Sequence, residues 1–312
     1  MADDSGYDGR SWARARAKRE FWLAVGRKLA TWRILRVRNG HYYSPVPSIK
    51  ELERDAPRIF DRSLRTLPGV ELNEAGQLTL LTQFATFYDE QPFSETPRNG
   101  MRYFFDNYWY GRADALFLYS MIRLIRPRRI IEIGSGFSSA VMLDTNERFM
   151  NRGIQFTFIE PESTRLRKLL KEEDYNSVSI VEQPIQQLDR SIVDQLAAND
   201  ILFIDCSHVS KAGSDVNHIL FELMPRLTPG VLVHFHDVPY PFEYPQEWFE
   251  LGISWNEAYI LRAFLQYNTQ CPIRFWNDFM MKFHSDAIRK LMPLCIDPPT
   301  FGVGGSLWLQ RA

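Results

Sequence analysis

The segment Ile130–Leu143, IIEIGSGFSSAVML, constrains the fold more than any other stretch of the chain. Three isoleucines around one carboxylate run directly into Gly134-Ser135-Gly136, and small residues then open a helix. A buried parallel strand that stops at glycines and turns into a helix brings bare backbone against a nucleotide-like ligand. Gly134 and Gly136 lack Cβ, so the turn can take positive φ and a ligand can lie on the main chain. The pattern departs from the dinucleotide fingerprint: Phe137 replaces the small spacer, and no third glycine follows in place. That argues against a nicotinamide dinucleotide and leaves another adenosine ligand, or an ordinary tight turn, open.

The segments downstream narrow the choice. Ile154–Glu160, IQFTFIE, reads as a second strand ending in an acidic residue that can accept both hydroxyls of a ribose. Val178–Glu182 reads as a third strand, Asp200–Asp205 as a fourth ending in a carboxylate, and Val231–Asp237, VLVHFHD, as a fifth. Amphipathic stretches lie between them at Glu162–Lys171, Arg190–Ala198 and Val216–Leu227. Strands that alternate with helices in this way predict an α/β fold, a doubly wound, mostly parallel, Rossmann-like sheet with helices on both faces.

At these residues the chain resembles a class I S-adenosylmethionine-dependent methyltransferase of the branch related to catechol O-methyltransferase. The resemblance runs from Asp114 to Leu309 and is best defined between Arg129 and Asp237. It implies that Glu132, Gly134, Ser135 and Gly136 surround the methionine end of the cofactor, that Glu160 holds the ribose, and that Gln183–Gln186, with Pro184 and Gln186, borders the adenine. Asp205 completes the cofactor-facing set. In metal-dependent members of that branch, an Asp ending the fourth strand and an Asp-Asn pair ending the fifth bind a divalent cation. Here Asp205 matches the first and His236-Asp237 stands where the pair would be, while His208 takes the place of a basic lysine. A site of Asp205, His236 and Asp237 would suit manganese, iron, nickel or zinc better than magnesium. The other reading is that both aspartates bond backbone amides and no metal binds.

Methyl transfer from a sulfonium is an in-line displacement in which the protein supplies alignment and desolvation. A hydroxyl acceptor must also lose a proton. His208 is the expected base, His236 the second candidate and Asp205 an orienting partner. A carboxylate acceptor would need only a donor or cation to orient it. The expected activity is therefore O-methyl transfer to a hydroxyl or carboxylate of a small molecule or peptide. Alternatives are a nucleic-acid methyltransferase and a cofactor-binding scaffold without turnover.

A chain of 312 residues, 45% hydrophobic and 14% aromatic, can bury one large core with an appended subdomain. No apolar run is long enough to span a membrane, and the amino-terminal residues MADDSGYDGR do not read as a signal peptide. Cys206, Cys271 and Cys295 are widely spaced, which suggests reduced thiols and a cytoplasmic setting. The net charge of −1 hides a basic stretch, Arg10–Arg38, in which Trp22, Val25, Leu29 and Trp32 recur at helical spacing. That helix is expected to dock on its own domain or on a second copy in a homodimer, which makes a nucleic-acid arm the weaker reading.

The boundaries follow from these signals. Residues 1–112 read as a helical amino-terminal extension and 113–312 as the Rossmann-like domain. A proline- and aromatic-rich lid over 238–248 leaves the fifth strand. The cluster Met101–Tyr110 offers Tyr108 and Tyr110 to the pocket, with its phenylalanines read as core. Arg274–Asn277 and Met280–Phe283 read as short strand-like pieces, Ser306–Gln310 as the last strand, and Ile296–Thr300 as a loop.

Overall fold

Seven strands form one sheet in the computed structural model, which describes residues 37–297 and 305–312. They are β1 (Arg129–Ile133), β2 (Gln155–Ile159), β3 (Val178–Val181), β4 (Ile201–Ile204), β5 (Leu232–Phe235), β6 (Ile273–Trp276) and β7 (Leu307–Gln310). Their spatial order is β3-β2-β1-β4-β5-β7-β6. The first five are parallel, and β7 runs antiparallel to both β5 and β6.

The chain winds outward from β1 in both directions, to β2 and β3 on one side and to β4 and β5 on the other. Right-handed crossovers then place the connecting segments on opposite faces of the sheet, as the alternating pattern predicts. Strands β1, β4 and β5 are buried along nearly their whole length, so their apolar runs need no polar alternation. The helix Arg112–Ile125 enters β1, and the helix Phe137–Phe149 leaves it; both are buried over most of their residues. The switch in winding direction falls between β1 and β4, where open α/β sheets form a crevice beyond the strand ends.

The chain divides into two compact units. The larger, Leu64–Phe242 with Asn256–Ala312, holds the entire sheet. The smaller contains, among the described residues, the helices Ile49–Ile59 and Gln246–Glu250, with Phe60 packed on Phe249 and Trp248 on Tyr244 and Trp255. Residues 64–112, grouped by sequence with the extension, pack in the larger unit. The expected basic helix over Arg10–Arg38 lies almost wholly outside the described residues.

Two local expectations change. Met280–Phe283 belongs to the helix Asn277–Phe283, whose buried Phe279 and Met280 gave it the look of a strand. The segment Val216–Leu227 is not one α-helix: one α turn, Asp215–His218, passes into a π turn, Ile219–Leu223, and a 3₁₀ turn, Met224–Arg226, that accommodates Pro225. Among the described residues no helix is long and apolar enough to cross a membrane.

Candidate functional site

Gly134 closes the carboxyl end of β1 with φ +81°, and a Cβ there would stand 1.8 Å from the Asp205 carbonyl oxygen. Only glycine fits this position, on both conformational and steric grounds. The turn that follows is fixed by two carboxylates. Glu160, just past β2, accepts the Ser135 amide at 3.0 Å and the Glu162 amide at 2.9 Å, which holds it at the rim. Glu132 lies fully buried beneath the turn, where it accepts the Ser138 hydroxyl at 2.6 Å and the Ser139 hydroxyl. Ser139 in turn accepts the Gly136 amide at 3.0 Å. Burial pushes the Glu132 carboxyl up to about 8 against the opposing pull of these hydroxyls.

A cavity of about 360 Å³ opens beside this turn, within the size range of small-molecule sites. Its walls include Gly134, Glu160, Pro184, Gln186 and Asp205 from the expected set, together with Cys206 and Asp215. Glu132, Ser135 and Gly136 shape the turn without lining the cavity. The combination suits an adenosine ligand: a bare turn, a carboxylate held at the rim and an apolar slot at Pro184–Ile185.

Asp205 also belongs to a second cluster. His208 Nε2 lies 3.4 Å from Asp205 and 3.8 Å from Asp237, and its Nδ1 is hydrogen-bonded to Glu257 at 2.9 Å. His236 Nδ1 lies 3.7 Å from Asp205 and 3.5 Å from Asp237, and its Nε2 lies 3.7 Å from Asp114. Two imidazoles thus flank two aspartates, each ring backed by a further carboxylate. Desolvation alone would lower both rings, but Asp205 and Glu257 lift His208 to about 10, and Asp237, Asp205 and Asp114 lift His236 well above the usual range. Conversely, desolvation would raise Asp205, yet His236 and His208 hold it at about 2.

Backbone geometry builds this cluster as much as side chains do. His208 and Asp237 both sit in the left-handed region, at φ 58° and 53°. Such conformations are sparsely populated for non-glycine residues and persist where the surroundings impose them. The His208 carbonyl accepts the amides of Asn256 and Glu257, and Asn256 Oδ1 accepts the Ser210 amide, so the start of the helix Glu257–Leu265 grips the loop after β4. Asp237 is packed by Gly305, where a Cβ would come 2.8 Å from the Asp237 Cα.

Asp114 and Glu257 were not expected at the site. Asp114 accepts Asn277 and Ser306 side chains, each at 2.6 Å, as well as standing behind His236. The signal for Glu257 was its place after Asn256 at a helix start, which marks the end of a helix without indicating its tertiary target. Asp205, His208 and Asp237 gather donor atoms all within 4.8 Å of one another, and His236, of the expected metal group, stands beside the same two aspartates. Tyr110 is buried with its ring 5.2 Å from that of His236, whereas Tyr108 is half-exposed. The first part of the proline-rich segment is packed as core: Val238, Tyr240 and Phe242 are buried, and Val238 accepts the Trp276 indole at 2.7 Å.

A family model described as a methyltransferase domain matches residues 131–238, which span β1 to the end of β5. An uncharacterized protein of Archaeoglobus fulgidus is 37% identical over 166 residues, covering 52% of this chain and 74% of that protein. Among solved structures, the O-methyltransferase TomG of Streptomyces achromogenes, in complex with SAM, is similar over 84% of this chain and 99% of its own, with a TM-score of 0.42 and 17% identity. The SAH-bound methyltransferase PaMTH1 of Podospora anserina matches over 86% and 99%, with a TM-score of 0.40 and 14% identity.

Proposed function

We propose that the chain, whose residues 131–238 match a methyltransferase domain, is a class I S-adenosylmethionine-dependent methyltransferase that methylates the oxygen of a hydroxyl group on a small molecule or peptide. The observation that carries this reading is the double role of Asp205, which lines the cofactor cavity and stands 3.4 Å from His208. S-adenosylmethionine supplies an electrophilic methyl on a sulfonium. Glu160 accepts the ribose hydroxyls, Pro184 and Gln186 border the adenine, and the Gly134 turn leaves room for the methionine end.

Four carboxylates, Asp114, Asp205, Asp237 and Glu257, surround two imidazoles in the acceptor cluster. That balance attracts a sulfonium and repels a carboxylate, which favours a hydroxyl acceptor. Glu257 fixes the His208 ring through Nδ1 and leaves Nε2 facing the two aspartates. His208 takes the hydroxyl proton at Nε2 while the oxygen–methyl bond forms and the sulfur–methyl bond breaks. With its ring lifted to about 10, His208 is imidazolium at neutral pH, and only the deprotonated fraction can act. The rate should therefore rise with pH through the alkaline range. The spacing of Asp205, His208 and Asp237 also supports a second reading, in which these three hold a divalent cation that polarises the acceptor oxygen.

Transfer of labelled methyl to panels of hydroxyl and carboxylate compounds tests the proposal. His208→Gln should lower the turnover of a hydroxyl acceptor by about 100-fold or more, with cofactor affinity little changed. Transfer confined to carboxylates, or a wild-type rate in His208→Gln, would overturn it.

A further inference from the structure

We propose that Arg165 anchors the carboxylate at the methionine end of the cofactor, with Trp109 holding its guanidinium in place. The inference rests on the cofactor occupying the cavity beside Gly134. Arg165 follows Glu160 by five residues, in the helix Thr164–Leu169. Its guanidinium carbon lies 4.0 Å from the centroid of the Trp109 ring. A Cβ on Gly136 would come 3.6 Å from Arg165 Cδ and Nη1, so the side chain lies directly against the glycine turn. Trp109, 48% exposed, stacks on the guanidinium.

This cation has no carboxylate partner among the described residues. The contrast with its neighbours is sharp: Arg167, two residues on, pairs with Glu182 at 3.0 Å, and Arg102, Arg112 and Arg123 each pair with a carboxylate at 2.9 Å or less. A guanidinium stacked on an indole keeps its N–H edge available, and that edge matches a carboxylate in two parallel hydrogen bonds.

Electrostatics then choose between the two directions open to the amino-acid end of the cofactor. Toward the acceptor stand Asp205 and Asp237, which would repel its carboxylate. Across the glycine turn stands Arg165, which would pair with it. Anchoring that end over the turn leaves the methyl-bearing sulfur on the side of Asp205 and His208, so Arg165 is a binding and positioning residue.

Calorimetry with two ligands isolates this role. S-adenosylhomocysteine carries the carboxylate, and 5′-methylthioadenosine lacks the amino-acid end. Arg165→Gln, which removes the charge and keeps a planar group on Trp109, should weaken S-adenosylhomocysteine about tenfold or more and leave methylthioadenosine within about twofold. Arg165→Lys, which keeps the charge without the fork, should fall between the two. Equal weakening of both ligands in Arg165→Gln, or weakening of neither, would overturn the assignment. A wild type that bound neither ligand would instead remove the cofactor from this cavity, and the inference with it.

Discussion

At Gly134 the glycine turn and the cluster of histidines and aspartates share a wall, because the glycine presses on the backbone of Asp205. The sequence made this residue legible: a strand that stops at glycine has few other reasons to do so. Glu132 was harder to read. Its carboxylate sits in the same motif as the turn, yet it serves as a buried clasp for Ser138 and Ser139 rather than as a cavity wall. Spacing along the chain could not reveal that, since the hydroxyls reach it only after the helix has turned back over the strand. The clasp has a pH signature. An unfolded glutamate titrates near 4.5 and the buried one near 8, so the native state holds the extra proton between those values. The stabilisation is complete below the lower value and is lost as pH rises to the upper one, on the order of 5 kcal/mol at most. Denaturant unfolding at pH 5 and 8.5 should show the wild type losing several kcal/mol more than Glu132→Gln. Equal losses in both would mean that another group titrates.

The five parallel strands were legible as elements because each is a short apolar run ended by glycine or a carboxylate. The segments that join them were less so, since their partners are tertiary. Arg102 illustrates the difference. It read as part of an aromatic stretch, yet its guanidinium is buried and bonds Asp144 at 2.7 Å, Glu147 at 2.8 Å and Asp174 at 2.7 Å. Asp144 also accepts the amides of Arg102 and Tyr103, which ties the segment before the helix Arg112–Ile125 to the helix Phe137–Phe149. Arg102→Met should destabilise the protein by about 3–5 kcal/mol, because Asp144 would remain buried without its counter-charge and Asp174 would keep only Arg152, at 3.3 Å. Thermal and chemical unfolding measure this directly. A loss under about 1 kcal/mol would show that the cluster relaxes to solvent. The same limit applied to Asp114 and the pair Gly305-Ser306, which meet at the site from two distant segments. No pattern in either of those segments announces that meeting.

At the scale of the whole molecule, the winding of the sheet brings the ends of β1, β2, β4 and β5 into one crevice, and the chemistry follows from what each strand carries there. β1 ends in the glycine turn, β2 in Glu160, β4 in Asp205 and β5 in His236-Asp237. The alternation of strands and helices revealed this sheet, whereas the insertion of β7 between β5 and β6 could not be read, because antiparallel pairing at the edge depends on contacts distant in sequence. That insertion matters to the site, since β7 follows Gly305 and Ser306, which pack Asp237 and donate their amides to Asp114. The central claim is that one cavity presents the cofactor's methyl to the cluster of Asp205, His208 and Asp237. A crystal structure of the protein with S-adenosylhomocysteine tests it most directly. The account predicts ribose hydroxyls on Glu160 and a sulfur facing Asp205 and His208, with space for an acceptor oxygen about 3 Å from the position of the methyl. A ribose bound away from Glu160, or a sulfur turned from His208, would contradict it.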